Sequence, residues 1–95
     1  MKVWIMYDIS NTKLRNKIAK YCKQIGLKRM QKSVFFGETR LSLLRRFQKD
    51  SETMLQTDSD SIIILPTTQK GMKRILSIGK LNVDKLIYRQ LTQFL

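Results

Sequence analysis

Hydrophobic positions along the first 26 residues change from a strand pattern to a helix pattern. Val3 to Tyr7 is a run of β-branched and aromatic residues, typical of a strand that is buried on at least one face. Asp8 ends this run, and Ser10-Asn11-Thr12 supplies residue types that cap helices. Apolar residues then recur at intervals of three and four from Leu14 to Ile25. This spacing predicts an amphipathic helix that Gly26 terminates.

The next segment predicts a hairpin and a second helix. Two short predicted strands, 27–31 and 34–37, flank Lys32-Ser33, which we expect to form a tight turn. Thr39 is placed to cap a helix whose apolar positions run from Leu41 to Leu55. Because polar and acidic residues interrupt this pattern near residue 50, its length stays open. We expect the acids between 50 and 60 to lie in a solvated loop.

The last third predicts two further strands and a tail. Ser61 to Leu65 has the isoleucine run of a central strand, and Pro66 ends it. A last strand is expected from Lys73 to Ile78. We therefore divide the chain into a domain at 1–80 and a C-terminal tail at 81–95. The tail pattern fits a helix or an extended segment that docks on a partner, and periodicity does not decide between them.

The order of these elements indicates the fold. Strand-helix-strand units that cross over right-handed give an α+β, ferredoxin-like βαββαβ domain with an additional C-terminal strand. Its antiparallel sheet carries both helices on one face, so the other face is expected to be bare. A second copy of the chain is the economical cover for that face, and this predicts a homodimer.

The charge of the chain points to a polyanionic partner. Its 19 Lys and Arg against 7 Asp and Glu give a net charge of +12. Residues 1–49 hold 13 of the basic residues and 2 of the acidic ones, a net charge of +11. Such a field attracts nucleic acid through phosphate contacts and counterion release. We favour this over the simpler explanation, a solubilising surface.

Composition also excludes several classes of protein. The chain has no histidine, so a Ser-His-Asp triad, a Cys-His pair and the usual zinc enzyme sites are ruled out. Its single cysteine, Cys22, rules out an intrachain disulfide. The apolar runs are too short to cross a membrane or to form a signal peptide. We therefore expect a cytoplasmic protein that does not bind membranes.

Asp8 is the first candidate for chemistry. A carboxylate at the end of a strand, beside a basic helix, can hold Mg²⁺ or Mn²⁺, which prefer oxygen ligands. The metal would activate water against a phosphodiester, which makes Asp8 the candidate catalytic residue. A turn-capping role is the alternative. A two-fold dimer would supply a second copy of Asp8, and Glu38 is a weaker candidate for a second ligand.

Six residues are candidates for contacts with nucleic acid. We expect the side chains of Arg15, Lys17, Arg29 and Lys32 to bind phosphate. The rings of Tyr7 and Phe35 could stack on a base, although an aromatic residue in an apolar strand is more often part of the core. We assign Trp4 to the core as well. Arg45-Arg46 is more typical of ordinary solvated surface.

Several short segments resemble the family of CRISPR-associated protein two, the spacer-acquisition partner of the Cas integrase. They are Tyr7-Asp8-Ile9-Ser10, Leu14-Arg15-Asn16-Lys17, Gly26-Leu27 and Arg29-Met30-Gln31-Lys32-Ser33-Val34-Phe35. The resemblance covers roughly residues 1–66, and its most specific part is Gln31 to Gly37. The family pattern often has Glu after the Gln-x-Ser-Val-Phe strand, where this chain has Phe36.

The resemblance implies a fold, an assembly and an activity. It implies a ferredoxin-like homodimer that binds a short DNA duplex between two flanking Cas integrase dimers. It also implies a metal-dependent nuclease for single-stranded RNA or double-stranded DNA. The metal-binding aspartate of the family falls on Asp8, and its phosphate-facing basic position in the first helix falls on Arg15.

Two classes of function follow. In the first, the protein is a Mg²⁺-dependent endonuclease that uses Asp8. In the second, the same basic dimer is a non-catalytic DNA-binding scaffold of the adaptation complex, and Asp8 has no catalytic role. A toxin-like ribonuclease on the same fold, similar to VapD, is a further alternative with less support from the motifs.

Overall fold

The computed structural model describes residues 1–67 and 76–78, which form five strands and two helices. In chain order these elements are β1 (Lys2–Asp8), α1 (Thr12–Gln24), β2 (Lys28–Gln31), β3 (Val34–Glu38), α2 (Leu41–Met54), β4 (Ser61–Pro66) and β5 (Leu76–Ile78). The predicted hairpin turn at Lys32-Ser33 and the strand that ends at Pro66 are confirmed. Of the predicted strand at 73–78, the described part is β5. The tail at 81–95 lies outside the described residues.

All five strands belong to one antiparallel sheet in the order β2-β3-β1-β4-β5. β1 is the central strand, with β3 on one side and β4 on the other. This order is that of the ferredoxin-like βαββαβ fold with an extra strand beside β4, so the predicted α+β class is confirmed.

Both helices cover the same face of the sheet. Alternate residues of β1, namely Val3, Ile5 and Tyr7, join the main hydrophobic core. Ile18 of α1 and Phe47 of α2 belong to the same core and are fully buried. Because side chains of a strand alternate between faces, the odd positions of β1 support the helices, whereas Asp8 falls on the other face.

The second face of the sheet is apolar but not bare. Met6, Val34 and Ile63 lie at its centre and are buried within a single chain. Trp4 and Phe36 are partly exposed and contact each other, with ring centroids 4.4 Å apart. The prediction of a bare face is therefore wrong at the centre of the sheet, and the assignment of Trp4 to the core is only partly right.

The ends of α1 explain why this helix is predictable. The side chain of Asn11 accepts a hydrogen bond from the backbone N–H of Leu14 at 2.9 Å, which caps the first turn. At the other end, the N–H groups of Gly26 and Leu27 donate to the carbonyls of Lys23 and Cys22. Gly26 adopts a φ of 101°, which completes a Schellman motif.

The second helix differs from its prediction in two respects. Its N-cap is Arg40, which makes no side-chain capping bond, whereas Thr39 is buried. The helix also continues through Asp50 to Met54, so Asp50 does not lie in a loop. Asp50 accepts a hydrogen bond from the hydroxyl of Tyr21 in α1. Asp50, which interrupts the apolar pattern in the sequence, thus forms a contact between the two helices.

No helix in the described residues is long and apolar enough to cross a bilayer.

We predict that Gly26→Ala lowers the free energy of unfolding by about 1–2 kcal/mol, because a side chain is strained at positive φ. The added Cβ would also lie 3.2 Å from the carbonyl oxygen of Glu38. Urea denaturation of the variant and of Gln24→Ala, an exposed change in the same helix end, would measure this. Equal midpoints for the two variants would show that the positive φ costs nothing.

Candidate nucleic-acid interface and metal site

Asp8 is exposed at the end of the central strand, between two buried neighbours. Tyr7 on one side is 2% exposed, and Ile9 on the other is 2% exposed. Asp8 lies opposite Ser61, the first residue of β4. Since both neighbours are fixed in the interior and the strand is paired, the backbone holds the Asp8 carboxylate at the surface in a defined place.

The hairpin turn between β2 and β3 reaches the same end of the sheet. The backbone N–H of Tyr7 donates to the carbonyl of Ser33 at 3.1 Å, and the hydroxyl of Tyr7 donates to the carbonyl of Lys32 at 3.4 Å. The backbone of Lys32 therefore lies next to the end of β1 that carries Asp8, and the Lys32 side chain is exposed there.

Arg29 and Arg15 also lie near the hydroxyl of Tyr7. Burial raises the pKa of Tyr7 above its ordinary value, although a hydrogen bond from Arg29 and the positive charges of Arg29 and Arg15 act in the opposite direction. The phenol thus stays neutral at ordinary pH. The structure brings together three of the four predicted phosphate ligands, Arg15, Arg29 and Lys32, at the Asp8 end of the sheet.

The guanidinium group of Arg29 rests on the ring of Phe35. Its central carbon lies 5.2 Å from the ring centroid, a distance typical of a cation–π contact. The rings of Phe35 and Tyr7 are nearly parallel, with centroids 6.2 Å apart. Phe35 and the phenol of Tyr7 therefore restrict where the Arg29 fork can point, which reduces the entropy lost when it binds a phosphate.

The burial of Tyr7 and Phe35 decides between their two predicted roles. Phe35 is fully buried and Tyr7 nearly so, so neither ring presents a face on which a base could stack. The prediction of base stacking is not supported in this conformation, and the alternative, a place in the core, is confirmed. Both rings contact the exposed Arg29, which links them to the surface.

Lys17 lies apart from this cluster. Residues two positions apart on a helix point about 200° from each other, and Arg15 and Lys17 differ by two positions. Lys17 lines an open groove of about 660 Å³ between the start of α1 and the end of α2, together with Lys13. Arg15 donates to the hydroxyl of Thr12 at 2.9 Å and is only partly exposed. The predicted set of phosphate ligands is thus divided between two surfaces.

Glu38 cannot join Asp8 at one metal site within a chain. It is paired with Lys2 at the opposite end of β1, about 20 Å from Asp8 at the usual rise of a strand. Its carboxylate lies 3.6 Å from the amino terminus of Met1. The prediction that Glu38 is a second ligand is therefore wrong for a single chain, because the antiparallel register separates the two acids.

Asp60 is the residue of this region that the sequence did not reveal. We expected it in a solvated loop, but it is 1% exposed. Its Oδ1 accepts hydrogen bonds from the N–H of Ser10 at 3.3 Å and from the hydroxyl of Ser10 at 3.4 Å. Its Oδ2 accepts from the N–H of Gln56 at 3.3 Å. The available signal was its position directly before the isoleucine run of β4.

Asp60 is held in its charged form. Burial alone would raise the pKa of Asp60, but hydrogen bonds from Ser10, Gln56 and Thr57 outweigh burial and lower the pKa below 3.8. Both carboxylate oxygens of Asp60 accept from donors of the protein, so Asp60 itself is not a candidate ligand for metal.

The donor set at Asp8 fits a weakly held, hydrated cation. Among the residues that the structure describes, no three His, Cys, Asp or Glu side chains form a group that could enclose a metal ion. Mg²⁺ keeps several waters and is often bound through one or two carboxylates together with substrate phosphates. One exposed carboxylate at the same end of the sheet as three basic side chains suits that mode, and a closed site with all ligands from the protein is not formed there.

Cys22 takes no part in this chemistry. It is fully buried under the sheet, and burial raises the pKa of its thiol to about 12 despite the nearby charge of Arg29. The thiol is therefore neutral at physiological pH and is a poor nucleophile.

Comparison with known proteins gives the class of this chain. The family model for CRISPR associated protein Cas2 matches residues 1–75. A solved structure of Cas2 from Streptococcus pyogenes at pH 6.5 is similar, with a TM-score of 0.63 and 25% identity over 83% of this chain and all of that chain. The match of fold and sequence runs through the strand end, the first helix and the hairpin described above.

Two curated relatives are similar over most of their length, and both are named CRISPR-associated endoribonuclease Cas2. The relative from Korarchaeum cryptofilum is 33% identical over 84 residues, which cover 84% of this chain and 86% of that protein. A second one, named Cas2 2, from Pyrobaculum aerophilum is 30% identical over 79 residues, covering 83% and 87%. The chain belongs to the CRISPR-associated Cas2 family.

The charged state of Asp60 leads to a prediction about stability. A carboxyl whose pKa is lowered by folding stabilises the protein above its ordinary pKa, and this contribution is lost as the pH falls through the lowered value. We expect Asp60→Asn to cost about 1–3 kcal/mol at pH 7, because donors lose their charged acceptor. The cost should shrink below pH 3.8. Urea denaturation of both proteins from pH 7 to pH 2.5 measures it, and a constant difference would contradict the assignment.

Proposed function

We propose that this protein is a metal-dependent endonuclease of CRISPR adaptation that cleaves a phosphodiester beside Asp8. The observation that supports this most is that the exposed carboxylate of Asp8 and the side chains of Arg15, Arg29 and Lys32 lie at the same end of the sheet, with the acid on one face and the two arginines, beside Tyr7, on the other. The names of the relatives, which include endoribonuclease, make single-stranded RNA the first substrate to test, with double-stranded DNA as the second.

The basic residues would bind and orient the substrate. Arg29, restricted by Phe35 and Tyr7, can donate two parallel hydrogen bonds to one phosphate, and Lys32 supplies a point charge from the hairpin turn. Arg15 adds a second guanidinium on the side of α1. Holding the backbone in this way would let the substrate continue round the end of the sheet, so that a neighbouring phosphodiester reaches the Asp8 carboxylate, which is the positioning that hydrolysis needs.

Asp8 would hold Mg²⁺ or Mn²⁺. When bound there, such a cation would make a coordinated water more acidic and would offset the charge that develops on the phosphate. A homodimer would bring a second Asp8 to the same site. The partly exposed aromatic pair of Trp4 and Phe36 on the second face of the sheet is compatible with such an interface.

A non-catalytic scaffold is the second candidate. The small number of metal ligands favours it, because the described part of each chain offers a single carboxylate at this place to hold a catalytic metal ion. In this case the basic homodimer binds a DNA duplex and positions two Cas integrase dimers, and Asp8 need not bind metal. The surface that contacts phosphate is the same in both candidates, so binding alone does not separate them. A VapD-like toxin ribonuclease has no observation in its favour here.

Replacement of Asp8 separates the two candidates. We expect Asp8→Asn to reduce the Mg²⁺-dependent cleavage of single-stranded RNA by at least about a hundredfold, since a metal ion contributes several kcal/mol to such reactions. Cleavage is measured on labelled RNA and duplex DNA, with Mg²⁺ or with EDTA. Asp58→Asn, the same change at another exposed aspartate, is the control.

Three outcomes are informative. Cleavage by the wild type that is lost in EDTA and in Asp8→Asn supports the nuclease. Equal cleavage by both preparations points to a contaminant and contradicts it. No cleavage by either, with duplex binding retained, supports the scaffold.

The basic cluster leads to a second prediction, on salt dependence. We expect the slope of log affinity against log salt for single-stranded RNA to decrease by about 0.7 for each phosphate contact removed in Arg15→Ala and Arg29→Ala. The exposed pair Arg45→Ala and Arg46→Ala on α2 removes the same charge elsewhere. If both double variants change the slope equally, the basic cluster around Tyr7 is not the phosphate site.

A further inference from the structure

A buried carboxylate next to Asp8 has no part in the mechanism above. Asp60 bonds at the same time to Ser10, which lies two residues after Asp8, and to Gln56, which follows α2. One side chain therefore connects the loop between β1 and α1 with the loop between α2 and β4. These are the two loops that border the Asp8 end of β1 and the start of β4.

Burying a charge at this place needs a reason. An ionised carboxylate loses its hydration when it is buried, and only donors from the protein offset that cost. Asp60 receives two such donors from Ser10 and one from Gln56, and Thr57 donates to it as well. Each of these bonds fixes a loop. The strand that follows is fixed independently, because β4 is paired along its length with β1.

The bonds between Ser10 and Asp60 help to hold the backbone that follows Asp8, whereas the backbone before Asp8 is held by the sheet. Before Asp8, pairing of β1 with both of its neighbours fixes the chain. After Asp8, the chain leaves the sheet and is held by the buried side chain of Ile9, by the bonds of Ser10 to Asp60 and by the cap that Asn11 forms on α1. The bonds to Asp60 are the polar contacts that join this loop to the opposite side of the site.

We propose that Asp60 is a positioning residue for the Asp8 site: through Ser10, it keeps the loop after Asp8 in the one conformation from which the Asp8 carboxylate can act. This inference rests on the proposed nuclease function. Asp60 does not contact substrate or metal in this account, and its effect is on the rate of the reaction more than on the binding of RNA.

The test measures kcat and KM separately. We expect Asp60→Asn to lower kcat for RNA cleavage about tenfold to a hundredfold, with KM within about twofold of wild type, because a small displacement of a reacting group has that effect. Asp58→Asn, which removes the same charge from the same turn, should leave both constants unchanged. Assays are run at a temperature where urea denaturation shows all variants to be fully folded.

A double-mutant cycle tests whether Asp60 acts through Ser10. Ser10→Ala removes the hydroxyl and keeps the N–H, so we expect a decrease in kcat of about twofold to fivefold, the size of one net hydrogen bond. In the Asp60→Asn background the same change should have little effect. Equal factors in both backgrounds would overturn the proposal. Ser10→Ala keeps Asp60 and its bond to Gln56, so it still tests the proposal if Asp60→Asn does not fold.

Failure of this inference can be told apart from failure of the proposed function. If the wild type shows no metal-dependent cleavage, the nuclease function is wrong, and the role of Asp60 in it falls too. If the wild type cleaves and Asp60→Asn has an unchanged kcat, the inference about Asp60 alone is wrong. Amide hydrogen exchange at Ser10 gives a separate readout. It should accelerate by about tenfold or more in Asp60→Asn and stay unchanged in Asp58→Asn, as for a local opening.

Discussion

The pairing of β1 with strands on both sides sets the hydrophobic core and the candidate site together. Because β1 is central, its register is fixed twice, by Val34 to Glu38 in β3 and by Ser61 to Pro66 in β4. A shift by one residue would turn Tyr7 out of the core and Asp8 into it. Double pairing therefore determines both the core and the position of the exposed carboxylate.

The same constraint explains the arrangement of charge. Tyr7 and Phe35 are neighbouring core residues, and they support Arg29 from below while the hairpin turn carries Lys32 to the end of the strand. The buried residues thus position the exposed ones. A net charge of +12 attracts any polyanion, and this local order places a planar guanidinium group and a lysine at one end of the sheet.

Local patterns in the sequence were sufficient for much of this description. The strand before Asp8, the first helix with its Asn11 cap and Gly26 stop, and the turn at Lys32 are each set by neighbouring residues, and each could be predicted. Asp8 and Arg15 were candidates from their places after a strand and in a basic helix, and the resemblance to a family, which the comparisons support, points to the same two residues.

What could not be predicted depends on contacts between distant segments. Asp60 and Ser10 are fifty residues apart, so only the fold shows that a polar turn contains a buried acid. The sequence does not show how far Glu38 lies from Asp8, because that distance depends on the register of β3, which pairs Glu38 with the opposite end of β1. Thr39 has the side chain of a helix cap, but Arg40 occupies that position.

Broadening of backbone amide signals by Mn²⁺, followed in NMR spectra of the whole chain, shows whether a divalent cation binds at Asp8, at the end of the sheet that also carries Arg15, Arg29 and Lys32. If it does, substoichiometric Mn²⁺ broadens the amides of Tyr7 to Ser10 and leaves Glu38, at the far end of β1, sharp. Broadening around Glu38, or none near Asp8, would contradict the account.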